Sequence, residues 1–283
     1  MRFCLLWILS MLALSPCLRG QERYTVYDSE TDRQLFARYV GQLSAEEDRS
    51  MPELMVRAAR LFLDAPYVAG TLEREPEGLV VNLRELDCTT FAETTLALVR
   101  TMRQGGEHRY EDFLDQLRTV RYREGAPDYM ARLHYMADWF YENERKGIVR
   151  DIGKELGGVP LPLALSFIST HPESYKPLRN NPALVRAMAE REQLISARPH
   201  YYLPKEQVAR LSAGIRDGDI LCFVTTVKGL DVTHVGIAYW MGDTLTFIHA
   251  SSAAKRVIVQ EPSLGDYLAR MKRCKGIIVA RPL

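Results

Sequence analysis

The chain lacks an excess of charge of either sign. Across 283 residues, 37 Lys and Arg stand against 36 Asp and Glu, a formal net charge of +1. That excludes the basic footprint of a nucleic-acid binder. Cysteine is sparse at five and histidine at six, with no CxxC or HxxxH spacing, so no closely paired metal-ligand motif is present. Repeats and low-complexity stretches are missing, which excludes a solenoid or fibrous protein. Beyond the first residues there is no long apolar run, so no transmembrane anchor is expected. What remains is 47% hydrophobic, 26% charged and 9% aromatic, the composition of a globular protein with a proper core.

The start of the chain is a separate element. Arg2 supplies a positive charge, residues 3–14 form an apolar run, and Ser15, Pro16 and the stretch to Gly20 close it. This is the layout of a secretory signal peptide over residues 1–20, cut before Gln21, and it predicts an exported protein, periplasmic or secreted. The run is shorter than the about 20 residues a bilayer-spanning helix needs. Cys17 stands where a lipoprotein signal places its cysteine, but Pro16 fits that motif badly, so lipid anchoring is the lesser expectation. With the leader and its Cys4 and Cys17 removed, Cys88, Cys222 and Cys274 remain. An odd count leaves at least one thiol unpaired. Cys222 and Cys274 lie in apolar, strand-like stretches and read as core residues.

Helical segments come first. Ser29 begins a capped run, and Ser50-Met51-Pro52-Glu53 has a helix start, with Ser at the cap and Pro in the first turn. A Pro- and Gly-punctuated loop covers residues 65–73, and residues 79–83 alternate like a short strand. From Asp87 onward Phe91, Ala92, Thr95, Leu96, Val99 and Met102 recur at helical spacing. Residues 110–210 read mostly as helix and loop. The last part is different: residues 219–225, 233–240, 244–249, 256–260 and 276–281 are short β-rich runs separated by turn signals. Their closeness predicts an antiparallel sheet, and helices followed by a sheet give an α+β fold.

Cys88 falls in the first turn of its helix, where the macrodipole and free backbone N–H groups favour a thiolate and can hold an oxyanion. The bland alternative is a small buried cysteine. A nucleophilic thiol needs a base from elsewhere in the fold. His234 starts one strand-like run and His249 lies on the next, so neighbouring strands can set the imidazoles side by side, one holding the other's tautomer. The same three residues could bind zinc, but without paired ligand spacing a nucleophile and base are preferred. Arg132, Tyr135, Asp138 and Trp139 lie at helical spacing and can share one face. They are candidate substrate contacts, a guanidinium for carboxylates and an indole for a sugar face; a packed amphipathic helix with its own salt bridge is an equal alternative.

These residues occur in a recognisable order. Pro66-Tyr67-Val68-Ala69-Gly70, Asp87-Cys88-Thr89-Thr90-Phe91, Gly218-Asp219-Ile220, Thr233-His234-Val235-Gly236-Ile237 and His249-Ala250-Ser251-Ser252 resemble the NlpC/P60 superfamily of papain-like cysteine peptidases and amidases of bacterial cell walls. The resemblance covers about residues 60–100 and 215–281. It implies a papain-like fold, with an antiparallel sheet packed on the nucleophile helix, a helical N-terminal segment and a helical insertion at about 104–212. It also implies Cys88 as nucleophile, His234 as base and His249 as the third catalytic residue. Tyr67, Asp87, Glu73, Thr233 and Ser251 are then expected on the substrate side. No cofactor is implied, and a monomer is expected.

Thr89-Thr90 stands where the superfamily more often has Ser-Gly. Together with the loop 70–73 and the stretch 132–139, it resembles the branch of N-acetylmuramoyl-L-alanine amidases. The expected substrate is then a peptidoglycan fragment, a muropeptide, cut between the sugar lactyl group and L-Ala. A stem-peptide endopeptidase cutting between D-glutamate and the diamino acid, a catalytically dead wall-binding module and a lipid acyltransferase are the other readings. Asp87, which in the endopeptidases is implied to meet the free stem amine, is kept here and leaves the bond open.

Overall fold

The computed structural model describes residues 24–45 and 49–283. The expected signal peptide, with Cys4 and Cys17, lies outside them. In chain order the first half contains β1 (Val26–Tyr27), α1 (Glu30–Ser44), α2 (Met51–Arg60), β2 (Leu79–Val80), α3 (Cys88–Arg103), α4 (Tyr110–Arg121), α5 (Met136–Arg145), β3 (Val149–Asp151) and β4 (Val159–Pro160). Then follow α6 (Phe167–Thr170), α7 (Pro182–Ser196), β5 (Tyr201–Pro204), α8 (Lys205–Leu211), β6 (Ile220–Thr225), β7 (Val232–Met241), β8 (Thr244–Ser251), β9 (Arg256–Val259), α9 (Leu264–Arg270) and β10 (Cys274–Pro282). Among the described residues no helix is long and apolar enough to cross a membrane.

Local chemistry explains the helix starts. Ser29 and Ser50 close reciprocal capping boxes with Asp32 and Glu53, satisfying N–H groups that a helix start leaves unpaired. Asp32 also reaches across to accept from the backbone N–H of Leu83 at 2.8 Å and from Arg84 Nε at 3.1 Å. This ties α1 to the segment leading into α3.

The main sheet has the order β4-β5-β10-β6-β7-β8-β9, with β3 on the same side of β10 as β5. All its pairings are antiparallel, as the α+β expectation holds. Alternation along the strands sends side chains to two cores. Cys222, Val224, Val235, Ile237, Ile248 and Ala250 join the helices α1–α5 in one. Leu221, Phe223, Ala238, Phe247 and Val279 join Val208 of α8 and Leu264 and Leu268 of α9 in the other. A third cluster, including Tyr129, Tyr135, Leu178 and Met188, binds α7 to the stretch before α5. Cys222 and Cys274 are buried and unpaired.

Two differences from the sequence reading stand out. The middle of the chain is not only helix and loop: β3, β4 and β5 extend the sheet beyond β10. At two to four residues each they are too short to show a period. The strand expected over 79–83 shortens to β2, paired in parallel with β1 outside the main sheet.

Candidate active site

Two backbone events bring the expected residues together. First, β7 and β8 pair only between residues 237–241 and 244–248. Beyond Ile237 and Ile248 the strands part; the start of β7 stays with β6 and the end of β8 with β9. The N-terminus of α3 meets this gap, and the sulfur of Cys88 accepts the backbone N–H of Val235, the residue after His234. Second, residues 64–67 run along the outer edge of β9. Asp64 and Tyr67 donate to the carbonyls of Val257 and Lys255 at 3.0 and 2.9 Å. On their other side, Val68 donates to Leu86 and Leu86 to Pro66. The step from Leu86 to Cys88 is therefore set beside Tyr67, whose phenol is pushed up by burial and then by the neighbouring Cys88 and Asp87.

Asp87 caps α3. Its Oδ1 accepts the N–H of Thr90 at 2.8 Å and the Thr90 hydroxyl at 2.9 Å, while Thr90 Oγ1 accepts the N–H of Asp87 at 2.9 Å. Thr90 thus has a defined purpose in closing the box. Thr89 directs its N–H and hydroxyl to the Cys88 sulfur.

The imidazoles pair directly. His234 Nε2 and His249 Nδ1 are 2.6 Å apart, with the rings nearly perpendicular. Phe223 lies 5.4 Å from the His234 ring, Phe247 4.7 Å from the His249 ring, and Tyr267 of α9 packs on Phe247. This aromatic surround disfavours charge on either ring. Burial lowers His234 to about 3, helped by His249, and His249 to about 4, opposed by a hydrogen bond to Gln260.

Burial opposes the thiolate that a helix start favours. Burial, followed by the charge of Asp87, pushes Cys88 up to about 11, and the N–H groups of Val235 and Thr89 only partly oppose this. The positive end of α3 is already occupied by its own carboxylate cap. Burial thus favours the uncharged form of the thiol and of both imidazoles.

The expected wall at 132–139 is corrected by the packing. Helix α5 starts only at Met136, so Arg132 and Tyr135 precede it. Trp139 is 0% exposed in the main core. Tyr135, 1% exposed, donates its hydroxyl to Glu192 at 2.6 Å. Asp138, 2% exposed, is held by Arg123 and Arg198 at 2.5 and 2.7 Å. These three are interior residues without a surface to offer a ligand. Arg132 does bind carboxylate, but its partners are internal: Glu73 at 2.8 Å and Glu77 at 3.7 Å, with a further bond to the Leu72 carbonyl. It fastens the loop after Tyr67, in which Glu73 stays partly exposed. Thr233 is exposed next to His234. Ser251 is buried, and its hydroxyl accepts the N–H of Ala254 in the β8–β9 turn.

Gly236 lies on β7 between the histidine and Ala238. A Cβ there would sit 2.6 Å from Phe247 Cδ2, 3.2 Å from the Ile248 carbonyl and 3.4 Å from His249 Cβ. Gly236→Ala is expected to destabilise by about 1–3 kcal/mol through overpacking and to slow turnover by displacing His249. Thermal unfolding and kcat measured together check it; wild-type values for both would refute it. Gln260, at the end of β9, is the site residue that sequence reasoning misses, since one polar residue after a strand carries no pattern.

Comparison with known proteins finds relatives of the chain. The family described as AmiA-like, N-acetylmuramoyl-L-alanine amidase-like, matches residues 57–277. An N-acetylmuramoyl-L-alanine amidase from Bacteroides uniformis is similar at 38% identity, covering 82% of this chain and 99% of its own, with a TM-score of 0.78. A Bacteroides fragilis protein provisionally described as a xylanase is 39% identical over 79% of this chain and 99% of its own, with a TM-score of 0.74. A Legionella pneumophila protein shares the fold at 21% identity, covering 89% of this chain and 93% of its own, with a TM-score of 0.68. No curated protein matches.

Proposed function

The chain belongs to the AmiA-like, N-acetylmuramoyl-L-alanine amidase-like family, and on that premise we propose that it is a cysteine-dependent peptidoglycan amidase that cuts muropeptides between N-acetylmuramic acid and L-Ala. The observation that carries this reading is the meeting of Cys88, at the start of α3, with the backbone beside the His234–His249 pair. Cys88 attacks the amide carbonyl carbon as His234 takes the thiol proton, and His249 holds the His234 ring. The proton then passes to the leaving amine of L-Ala, and water releases the lactyl group from the acyl-enzyme. A neutral thiol fits this order, because its proton leaves as the sulfur attacks.

The same reading takes residues 21–283 as one papain-like NlpC/P60 catalytic unit with a helical insertion at about 104–212, exported by the leader at 1–20. Tyr67 and Asp87 beside the thiol, Thr233 next to His234 and Glu73 on the loop held by Arg132 are the substrate contacts in this reading. A glycosidase would need two carboxyl groups across the scissile bond. The start of α3 carries instead a thiol and one carboxylate engaged in capping, with the sulfur on the N–H of the residue after His234, which supports an amide substrate.

Mass spectrometry of a defined disaccharide-tetrapeptide after incubation with the enzyme tests the bond. A free disaccharide and an intact tetrapeptide are expected. A dipeptide still attached to the sugar would move the cut into the stem peptide and replace this reading with the endopeptidase.

A further inference from the structure

We infer that Gln260 is a positioning residue that sets the tautomers of both imidazoles, an inference that rests on the proposed roles of Cys88 and His234. The backbone of Gln260 is held on β8 from both sides, its N–H donating to the Phe247 carbonyl at 2.9 Å and its carbonyl accepting the Thr246 hydroxyl. Its side-chain amide has one possible orientation. The Glu261 carbonyl can only accept, so the NH2 group faces it. Oε1 is thereby turned to His249 Nε2, 3.1 Å away.

From that point each proton is assigned in turn. Oε1 accepts only, so His249 Nε2 carries the hydrogen and Nδ1 presents a lone pair. His234 Nε2, 2.6 Å from that lone pair, must then be the donor. The basic atom left on His234 is Nδ1, available for the thiol proton. The opposite tautomer of His249 would donate to His234 and place a hydrogen on Nδ1, removing the base. The titratable groups packed on the His249 ring are His234 of β7 and Tyr267 of α9. Neither supplies the acceptor at Nε2; Gln260 does.

The test uses the whole protein with 15N-labelled histidine and the disaccharide-tetrapeptide as substrate. Wild type is expected to hold His249 in the Nε2–H form. Gln260→Met, similar in size but without an acceptor of comparable strength, is expected to give mixed tautomers and a kcat lower by about 10- to 100-fold with KM nearly unchanged. Gln260→Glu restores an acceptor and is expected to recover the Nε2–H form, with the acid limb of the kcat profile moved to higher pH because a carboxylate favours the imidazolium. A Gln260→Met enzyme with a single Nε2–H tautomer and wild-type kcat overturns the inference, as does a Gln260→Glu enzyme with mixed tautomers. Wild type that shows the assigned tautomers yet leaves the muropeptide intact would refute the amidase reading and leave the role of Gln260 standing.

Discussion

Cys88→Ala is expected to lower turnover of a muropeptide by about 10⁵- to 10⁶-fold, the scale of removing a nucleophile from a site whose members act as a unit. The fold should survive. The change deletes one sulfur atom, and the cap of α3 is made by Asp87 and Thr90 without the Cys88 side chain. Unfolding within about 1 kcal/mol of wild type is therefore expected, so that lost activity reports chemistry. The charge state of Cys88 can be measured on the wild type. Burial raises the thiol to about 11 and lowers His234 to about 3, so near pH 7 both are expected to be neutral. Only thiolate reacts with iodoacetamide, and a raised thiol pKa means less thiolate at any given pH. The alkylation rate of Cys88 should rise about tenfold for each pH unit from 7 towards 11. A rate already level between pH 5 and 9 would reveal a thiolate–imidazolium pair and overturn the neutral resting state, and a Cys88→Ala enzyme with substantial turnover would remove Cys88 from the chemistry.

The residues of the proposed catalytic centre are legible because their signals are local. Asp87-Cys88 followed by apolar residues at helical spacing identifies a thiol in a first helical turn, and α3 begins at Cys88. His234 and His249 stand on consecutive β-rich runs with a short turn between them, a hairpin-like arrangement that β7 and β8 adopt. Sheet order is different. β10, last in the chain, lies between β5 and β6, and pairing between such distant segments leaves no periodic mark. The misplaced residues have the same origin. Spacing shows that Trp139 and Asp138 belong to an amphipathic segment, but not which surface meets another element. Trp139 faces the main core, and Asp138 meets Arg198, which is 60 positions away. The charge of the thiol escapes the sequence for a related reason. A helix N-terminus can be read from sequence, whereas the burial of Cys88 against the backbone of Val235 depends on β7 arriving from far along the chain.

Arg121→Met is expected to cost about 3–5 kcal/mol, a large stability effect for a substitution outside the catalytic centre. Arg121 ends α4 and Glu93 lies on α3, five residues after Cys88; their side chains are 2% and 3% exposed, with Nε and Oε2 2.6 Å apart. Arg121 Nη1 also donates to the Val80 carbonyl at 2.6 Å, so one guanidinium joins α4, α3 and β2. Removing it leaves the Glu93 carboxylate inside the protein without its counter-charge and the Val80 carbonyl without this donor. At about 2–4 °C per kcal/mol for a chain of this size, the melting temperature should fall by roughly 6–20 °C. The pair itself need not be strongly stabilising, because desolvating both ions offsets much of their attraction. Combining Arg121→Met with Glu93→Leu removes both charges and should recover most of the loss. A single variant within about 1 kcal/mol of wild type would show that Glu93 finds another partner or water. A double variant as unstable as the single would show that the contribution lies in the bond to Val80 and the packing of the Arg121 stem. Recovery in the double variant would identify Arg121 as the counter-charge that lets a carboxylate lie within the helix whose first turn carries the proposed nucleophile.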